Sequence, residues 1–461
     1  RQFILMAISG SIGAGLFIAS GEALQKGGPG SLVLAFLIVG LAVWLTMCAL
    51  GELASTIPAR GSFYDYSVRF VSESWGFAMG WNYVVNFMLI VGFEITVIVR
   101  LARYWVGADA SVLSSGVIAA VPACHVVLAV LQCFGPKWYG EAEHFFGILK
   151  VFILTTFIGT AVVIAAGGTP EAGGRGFENY LHGQAFRNGF QGSISVLAAA
   201  GLAYGGTEML GLTAAACAQP RKVMPLGAKL VAGRILLCYC TALFALGLVL
   251  RPSALDSPEI ANLTASPFVI AVRVADIPRL PDIINGLLIA SVFSMGNSAV
   301  FASSRALAAI CERGMGPRVL SRFSERGVPW AALLVVFSVA MLAWLAAVRN
   351  GTEIFEWLLA LASVSNLFTW MSINICHIRL RKALRFQGRN PDLEVAWQAC
   401  CGVWGSYLAA VMIVCIMIAQ VASAALPPVL NHDGTLYFIF LLRGILGFVV
   451  VAVFWVGHLV Y

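Results

Sequence analysis

The amino-acid sequence predicts an all-α membrane protein of about twelve transmembrane helices, on three observations. Of its 461 residues 60% are hydrophobic and 11% charged, and the mean hydropathy is +0.88, more apolar surface than a water-soluble core of this length can hide. Runs of roughly 20 apolar residues, the length that crosses about 30 Å of hydrocarbon, recur between short polar loops. The runs are continuously apolar, not alternating, so their backbone polar groups must be satisfied inside helices, and a β-barrel is excluded.

Taken in order, the spans fall near 3–24, 32–56, 75–99, 112–133, 145–166 and 191–214, then 229–250, 283–311, 330–348, 353–376, 403–424 and 436–460. Basic residues sort the loops. Arg221, Lys222, Arg313, Arg318, Arg322, Arg326, Arg379, Arg381, Lys382, Arg385 and Arg389 occupy alternate connections, which places those loops in the cytoplasm. An even number of spans then puts both termini inside and the stretch 251–282 outside, where Arg100, Arg103, Arg273 and Arg279 dilute the bias. The net charge of +7 therefore reads as membrane topology and not as a surface for nucleic acid. Cysteines such as Cys48, Cys238, Cys240 and Cys415 lie in apolar runs with no metal or disulfide spacing. The chain starts at Arg1 directly before an apolar run, which points to a soluble N-terminal tail upstream; no cleavable signal peptide is recognisable.

The first and sixth spans stand apart. One carries Ser9-Gly10-Ser11-Ile12-Gly13-Ala14-Gly15 and the other Gly201-Leu202-Ala203-Tyr204-Gly205-Gly206-Thr207-Glu208, so each places several helix-weakening glycines at mid-membrane depth. A single membrane glycine commonly serves close helix packing. Clusters at matched positions of two five-helix halves, about 1–166 and 191–376, point instead to broken helices and an inverted repeat, with extra helices over about 403–460. Unwinding a helix in lipid frees N–H groups on one side of the break and carbonyls on the other, and a zwitterion satisfies both. Gly13, Ala14 and Gly15 can offer donors to a carboxylate. Carbonyls around Ser11, Leu202 and Tyr204, with Gly205 and Thr207 beside them, can face an amino group.

Three charges lie where lipid would penalise them. Lys150, in the fifth span, would cost roughly 2.5–3.5 kcal/mol at mid-membrane. It either snorkels to headgroups or, buried, exchanges a proton and stands in for a coupled sodium ion. Glu208 follows the sixth-span glycines and is the better proton relay; Glu94, in the third span, is a relay or pairs with a cation such as Arg100. Glu52, at the end of the second span, reads as a gate or cap contact. Asn297 and Ser298 in the eighth span, and Ser363, Ser365 and Asn366 in the tenth, line a pathway or hydrogen-bond between helices.

An ordered set of segments resembles the fungal-type amino acid permease family of the amino acid–polyamine–organocation (APC) superfamily almost end to end. The segments are Gly10-Ser11-Ile12-Gly13-Ala14-Gly15-Leu16-Phe17, Ala49-Leu50-Gly51-Glu52-Leu53-Ala54, Gly61-Ser62-Phe63, Gly80-Trp81-Asn82-Tyr83 and Tyr139-Gly140-Glu141-Ala142-Glu143. Further on come Gly206-Thr207-Glu208, Pro220-Arg221-Lys222, Ala265-Ser266-Pro267-Phe268-Val269-Ile270-Ala271, Gly296-Asn297-Ser298-Ala299-Val300, Phe368-Thr369-Trp370 and Cys376-His377-Ile378-Arg379. The resemblance implies a LeuT-like fold of two inverted five-helix repeats plus two helices, proton-coupled amino acid uptake at the plasma membrane, and a substrate held between the first and sixth spans. It also implies that Lys150 occupies the place where sodium-coupled relatives bind their ion. Three positions depart from the family's pattern: Leu202 replaces a gate aromatic, Ala14 a threonine, and Cys217 a glutamate before the Pro-Arg-Lys loop.

The expected function is proton and amino acid symport by alternating access, with no cofactor beyond the proton, no metal and no covalent chemistry. Two alternatives remain. A nutrient receptor would keep the site and signal; a polyamine or other organic cation carrier would need extra acidic groups facing the site, and Glu208 is the one clearly placed. An enzyme would need a nucleophile with its base, a metal cluster or a phosphate loop, and none emerges. The sequence is silent on accessory subunits and on the preferred side chain.

Overall fold

The computed structural model describes residues 10–59, 61–106, 115–169, 176–181, 183–212, 219–257, 265–347, 351–425 and 434–460. Ser9 with the first half of the first span, and Cys217, lie outside them. Every regular element among the described residues is helical. A short α1 (Ala14–Phe17) passes through Ile18 into α2 (Ala19–Thr56), then α3 (Phe63–Phe70), α4 (Glu73–Val106), α5 (Ser115–Cys133) and α6 (Pro136–Ala165). The chain continues with α7 (Gly189–Ala203), α8 (Met209–Leu212), α9 (Pro220–Gly233), a π-helical stretch Arg234–Cys240 and α10 (Thr241–Val249). It ends with α11 (Pro267–Val274), α12 (Leu280–Glu312), α13 (Trp330–Ala340), α14 (Gly351–Phe386), α15 (Pro391–Glu394), α16 (Gly402–Ala425) and α17 (Gly434–Val460).

Seven helices among the described residues are long and apolar enough to cross a membrane, and three apolar helices are shorter. The protein is a multi-pass membrane protein. Two expected spans run longer than composition suggested: α6 starts at Pro136 and α14 continues to Phe386, because charged residues can extend a helix beyond the hydrocarbon. The first and second spans are joined as α2, bent where Gly28 takes φ +81 before Pro29. A side chain at Gly28 would meet the carbonyls of Gln184 and Ala185, so glycine answers both the backbone angle and the close approach.

Helix α6 shows how the sequence sets direction. Its buried residues Tyr139, Glu143, Gly147, Lys150, Leu154, Phe157, Ala161 and Ile164 recur every three or four positions, one stripe of a helix. The opposite face exposes Phe145, Ile148, Phe152 and Val162, apolar side chains suited to lipid. Helical register thus carries Glu143 and Lys150 inward. The inner face of α6 meets α12, α4 packs along α12, and α2 packs along α7.

The end of α2 is tied to α14 by buried charges. Glu52 accepts from Arg381 at both carboxylate oxygens, each at 2.8 Å, and from the Ala399 N–H at 2.7 Å. His377 Nε2 lies 3.0 Å from the same carboxylate, Arg381 also reaches Asp392 at 2.9 Å, and Asn374 donates to Thr46 at 2.8 Å. Glu52 is a contact between helix ends and stands apart from the cavity described below. Removing one partner of such a buried pair strands the other, at about 3–5 kcal/mol. Glu52→Ala is therefore expected to lower the unfolding temperature of the detergent-purified protein markedly, and Arg381→Met added to it to recover part of the loss; a melt unchanged by Glu52→Ala would show that the pair contributes nothing net.

Candidate functional site

The start of α1 and the interruption after α7 meet at a small cavity. Gly13 is extended ahead of α1, and α7 stops at Ala203 in a turn over 204–208 before α8 resumes the direction of the chain. Gly206 takes φ +91 within that turn, a conformation side chains resist. At Gly15 an added Cβ would sit 2.6 Å from the Ala203 Cα, so glycine is what lets the two breaks touch. The cavity is lined by Ser11, Gly13, Gly15, Ile90, Phe93, Glu94, Leu202, Gly205 and Met295.

Five of the expected substrate residues line it: Ser11, Gly13, Gly15, Leu202 and Gly205. The other three are buried close by with different tasks. Ala14 stands beside the Glu94 carboxylate at the start of α1. Tyr204 turns its hydroxyl to the Phe36 carbonyl at 2.9 Å, and its ring lies 4.7 Å from that of Tyr239. Thr207 donates to the Tyr204 carbonyl at 2.6 Å and accepts from Arg234. The carbonyl of Leu202 accepts from Gly205 N–H at 3.0 Å.

Among the charges, Glu94 is the carboxylate that faces the cavity, and Glu208 is not. Glu208 is fully buried; its Oε1 accepts from Gly206 N–H at 3.2 Å and its Oε2 from Trp370 Nε1 at 3.0 Å, so it fastens the sixth-span turn to α14. Lys150 is fully buried on the inner stripe of α6, with Glu143, Glu94 and Arg234 as the charges acting on it. Snorkelling to headgroups does not describe it. Asn297 accepts from Gln132 at 2.8 Å and Ser298 from Tyr139 at 3.2 Å, contacts from α12 to α5 and α6 that lie off the cavity lining. Ser363 and Asn366 donate to carbonyls of α7 at 3.0 and 3.4 Å, and Ser365 to that of Asn82 at 3.4 Å.

Sequence reasoning missed two polar residues that hold the breaks in place. The Tyr239 hydroxyl lies 3.0 Å from the carbonyls of both Ser11, ahead of α1, and Ala203, at the end of α7. Arg234, 2% exposed, reaches the sixth-span turn through Thr207. Both sit in the π-helical stretch, a distortion frequent at functional sites. Arg234 falls inside the expected seventh span, so the argument applied to Lys150 would have found it; nothing in the sequence around Tyr239 marks it.

A short helix and an interrupted one meeting at a buried cavity in a multi-pass helical protein are the arrangement of a membrane carrier. The chain belongs to the amino acid permease family, whose model matches residues 2–461. It is similar to the general amino-acid permease GAP2 of Candida albicans, 38% identical over 461 residues, 99% of this chain and 76% of that protein. It is similar also to the general amino-acid permease GAP1 of Saccharomyces cerevisiae, 35% identical over 468 residues, covering all of this chain and 76% of the relative. A third relative, the amino-acid permease inda1 of Hypocrea atroviridis, is 36% identical over 443 residues, 94% of this chain and 76% of that one. This family membership makes the chain an amino acid transporter and not an enzyme.

Gly15→Ala is expected to push α1 off α7 and cut amino acid uptake by about tenfold or more, since overpacking costs about 1–3 kcal/mol. Gly159→Ala on α6, where a Cβ meets nothing within 4 Å, is the control that should transport normally. Equal uptake by the two variants would remove the close approach from the working site.

Proposed function

We propose that this chain carries an amino acid across the plasma membrane together with a proton, by alternating access around the cavity between the two breaks. In this reading twelve helices span the bilayer with both termini in the cytoplasm, and a LeuT-like pair of inverted repeats, about 1–166 and 191–376, is followed by two further helices over about 403–460. Ser11, Gly13, Ala14, Gly15, Leu202, Tyr204, Gly205 and Thr207 form or support the substrate site; Lys150 and Glu208 serve proton coupling. Glu94 joins them from the cavity side. No cofactor is used beyond the coupled proton.

The observation that carries the reading is the carboxylate already at the pole. Glu94 brings its carboxylate to the start of α1, where a Cβ on Gly13 would lie 3.1 Å from its Oε1, the position in which the substrate's own carboxylate would be held. The substrate amine then faces carbonyls of the interrupted backbone and Glu94 once displaced. Lys150, buried and charged when it holds a proton, supplies the cation that sodium-driven carriers take from solution.

A second reading has a specific observation in its favour. Glu94 beside the cavity gives an organic cation carrier an acidic group that Glu208, bound to Trp370 and Gly206, does not supply.

Uptake of radiolabelled amino acids and of putrescine into proteoliposomes, with and without an imposed pH gradient, separates these readings. Accumulation of neutral amino acids driven by an acid exterior is expected; uptake indifferent to the gradient removes proton coupling, and uptake confined to putrescine favours the cation carrier. Lys150→Gln should keep substrate exchange measurable while losing most of the gradient-driven accumulation. If that variant accumulates substrate with the original pH dependence, Lys150 has no part in coupling.

A further inference from the structure

We propose that Glu143 takes the proton from Lys150 on the release side of the carrier; this rests on the proton-coupled reading above. Both residues are fully buried and belong to the single inner stripe of α6. They are seven residues apart, two turns, which is about 10 Å along the axis. Side chains on a helix lean toward its N-terminus, so the long Lys150 side chain leans down α6 in the direction of Glu143. Glu143 Oε1 accepts from Ser294 on α12 at 3.0 Å, while its Oε2 is buried with no hydrogen-bond partner among the described residues. A buried carboxylate oxygen left open costs free energy that a proton or a water would relieve.

Direction follows from the fold. Glu94 approaches Lys150 from α4 and lines the cavity, so it lies on the substrate side. Glu143 lies toward the Pro136 end of α6, which faces the cytoplasm in the topology proposed above. Lys150 thus stands between a carboxylate at the cavity and a carboxylate toward the exit. The remaining titratable and charged groups around the two are Tyr139 and His144 on α6, Arg305 of α12 acting on Tyr139, and Arg234 after α9.

The transfer breaks one N–H bond of the Lys150 ammonium and forms one O–H bond on Glu143, directly or across a bridging water, leaving a neutral amine and a neutral acid. Two opposite charges disappear together, so the net charge of the buried site is unchanged. The acid then gives its proton to cytoplasmic water and is again a carboxylate.

The test compares two measurements on the same proteoliposomes: exchange of labelled for unlabelled amino acid at equal pH, and accumulation driven by a pH gradient. Glu143→Gln keeps the acceptor for Ser294 and removes the titrating group. Its exchange should stay within about twofold of the unmodified chain, and its gradient-driven accumulation should fall by at least about tenfold. Glu143→Asp should restore accumulation with a shifted pH profile. Accumulation by Glu143→Gln equal to that of the unmodified chain overturns the proposal, and so does a parallel fall in exchange and accumulation, which would mean a packing role. Should Glu143→Gln fail to assemble, Glu143→Asp and Ser294→Ala decide by pH profile: a shift supports the relay and an unshifted profile overturns it. An unmodified chain that ignores the gradient instead brings down the coupled reading itself, before any variant is compared.

Discussion

A helix interrupted within a bilayer leaves main-chain groups that water cannot reach, and the structure is organised around satisfying them. Each exposed group costs several kcal/mol in hydrocarbon, so an interruption survives only if protein or ligand completes it. Here Tyr239 reaches one carbonyl from each break. Arg234 reaches the Thr207 hydroxyl, Glu208 accepts the Gly206 N–H and the Trp370 indole, and Glu94 turns to the start of α1. The buried polar residues around the cavity are therefore largely the supports of the broken backbone. They keep an opening in an interior that would otherwise close on apolar contacts.

That division of labour explains which parts of the site were legible in the sequence. The glycine clusters were, because low helix propensity at two matched depths is a property of composition and position. Lys150 was, because a cation inside an apolar run needs a partner whatever the packing. Glu94 and Glu208 were not distinguished, because position along a span sets depth and not the direction in which a side chain points. Both lie at plausible depths; Glu94 turns to the cavity and Glu208 to Trp370. Asn297 and Ser298 carried the same ambiguity, and the structure gives them to neighbouring helices. Met295 and Phe93 line the cavity, but as apolar residues in apolar spans they send no signal at all.

At the level of fold, periodicity carried more than hydropathy. The spans were visible as apolar runs, yet where α6 and α14 end depends on how far charged residues ride beyond the hydrocarbon. Direction within α6 is readable after the fact in its three-and-four spacing: small or polar residues on the buried stripe, large apolar ones facing lipid. A membrane helix inverts the rule for water-soluble ones, so the polar side marks the interior.

The same inversion sets what this interior can do. Charges placed on the inner stripes of α4 and α6 and at the start of the π-helical stretch bring Glu94, Glu143, Lys150 and Arg234 into one low-dielectric region, two acids and two bases. Opposite charges gathered in this way offset one another, so moving one proton among them costs far less than creating an isolated ion there. A zwitterionic substrate brings an ammonium with its carboxylate, so placing it at the start of α1 adds no net charge to this region, whereas an ion entering alone would leave an odd charge in a space sealed from water.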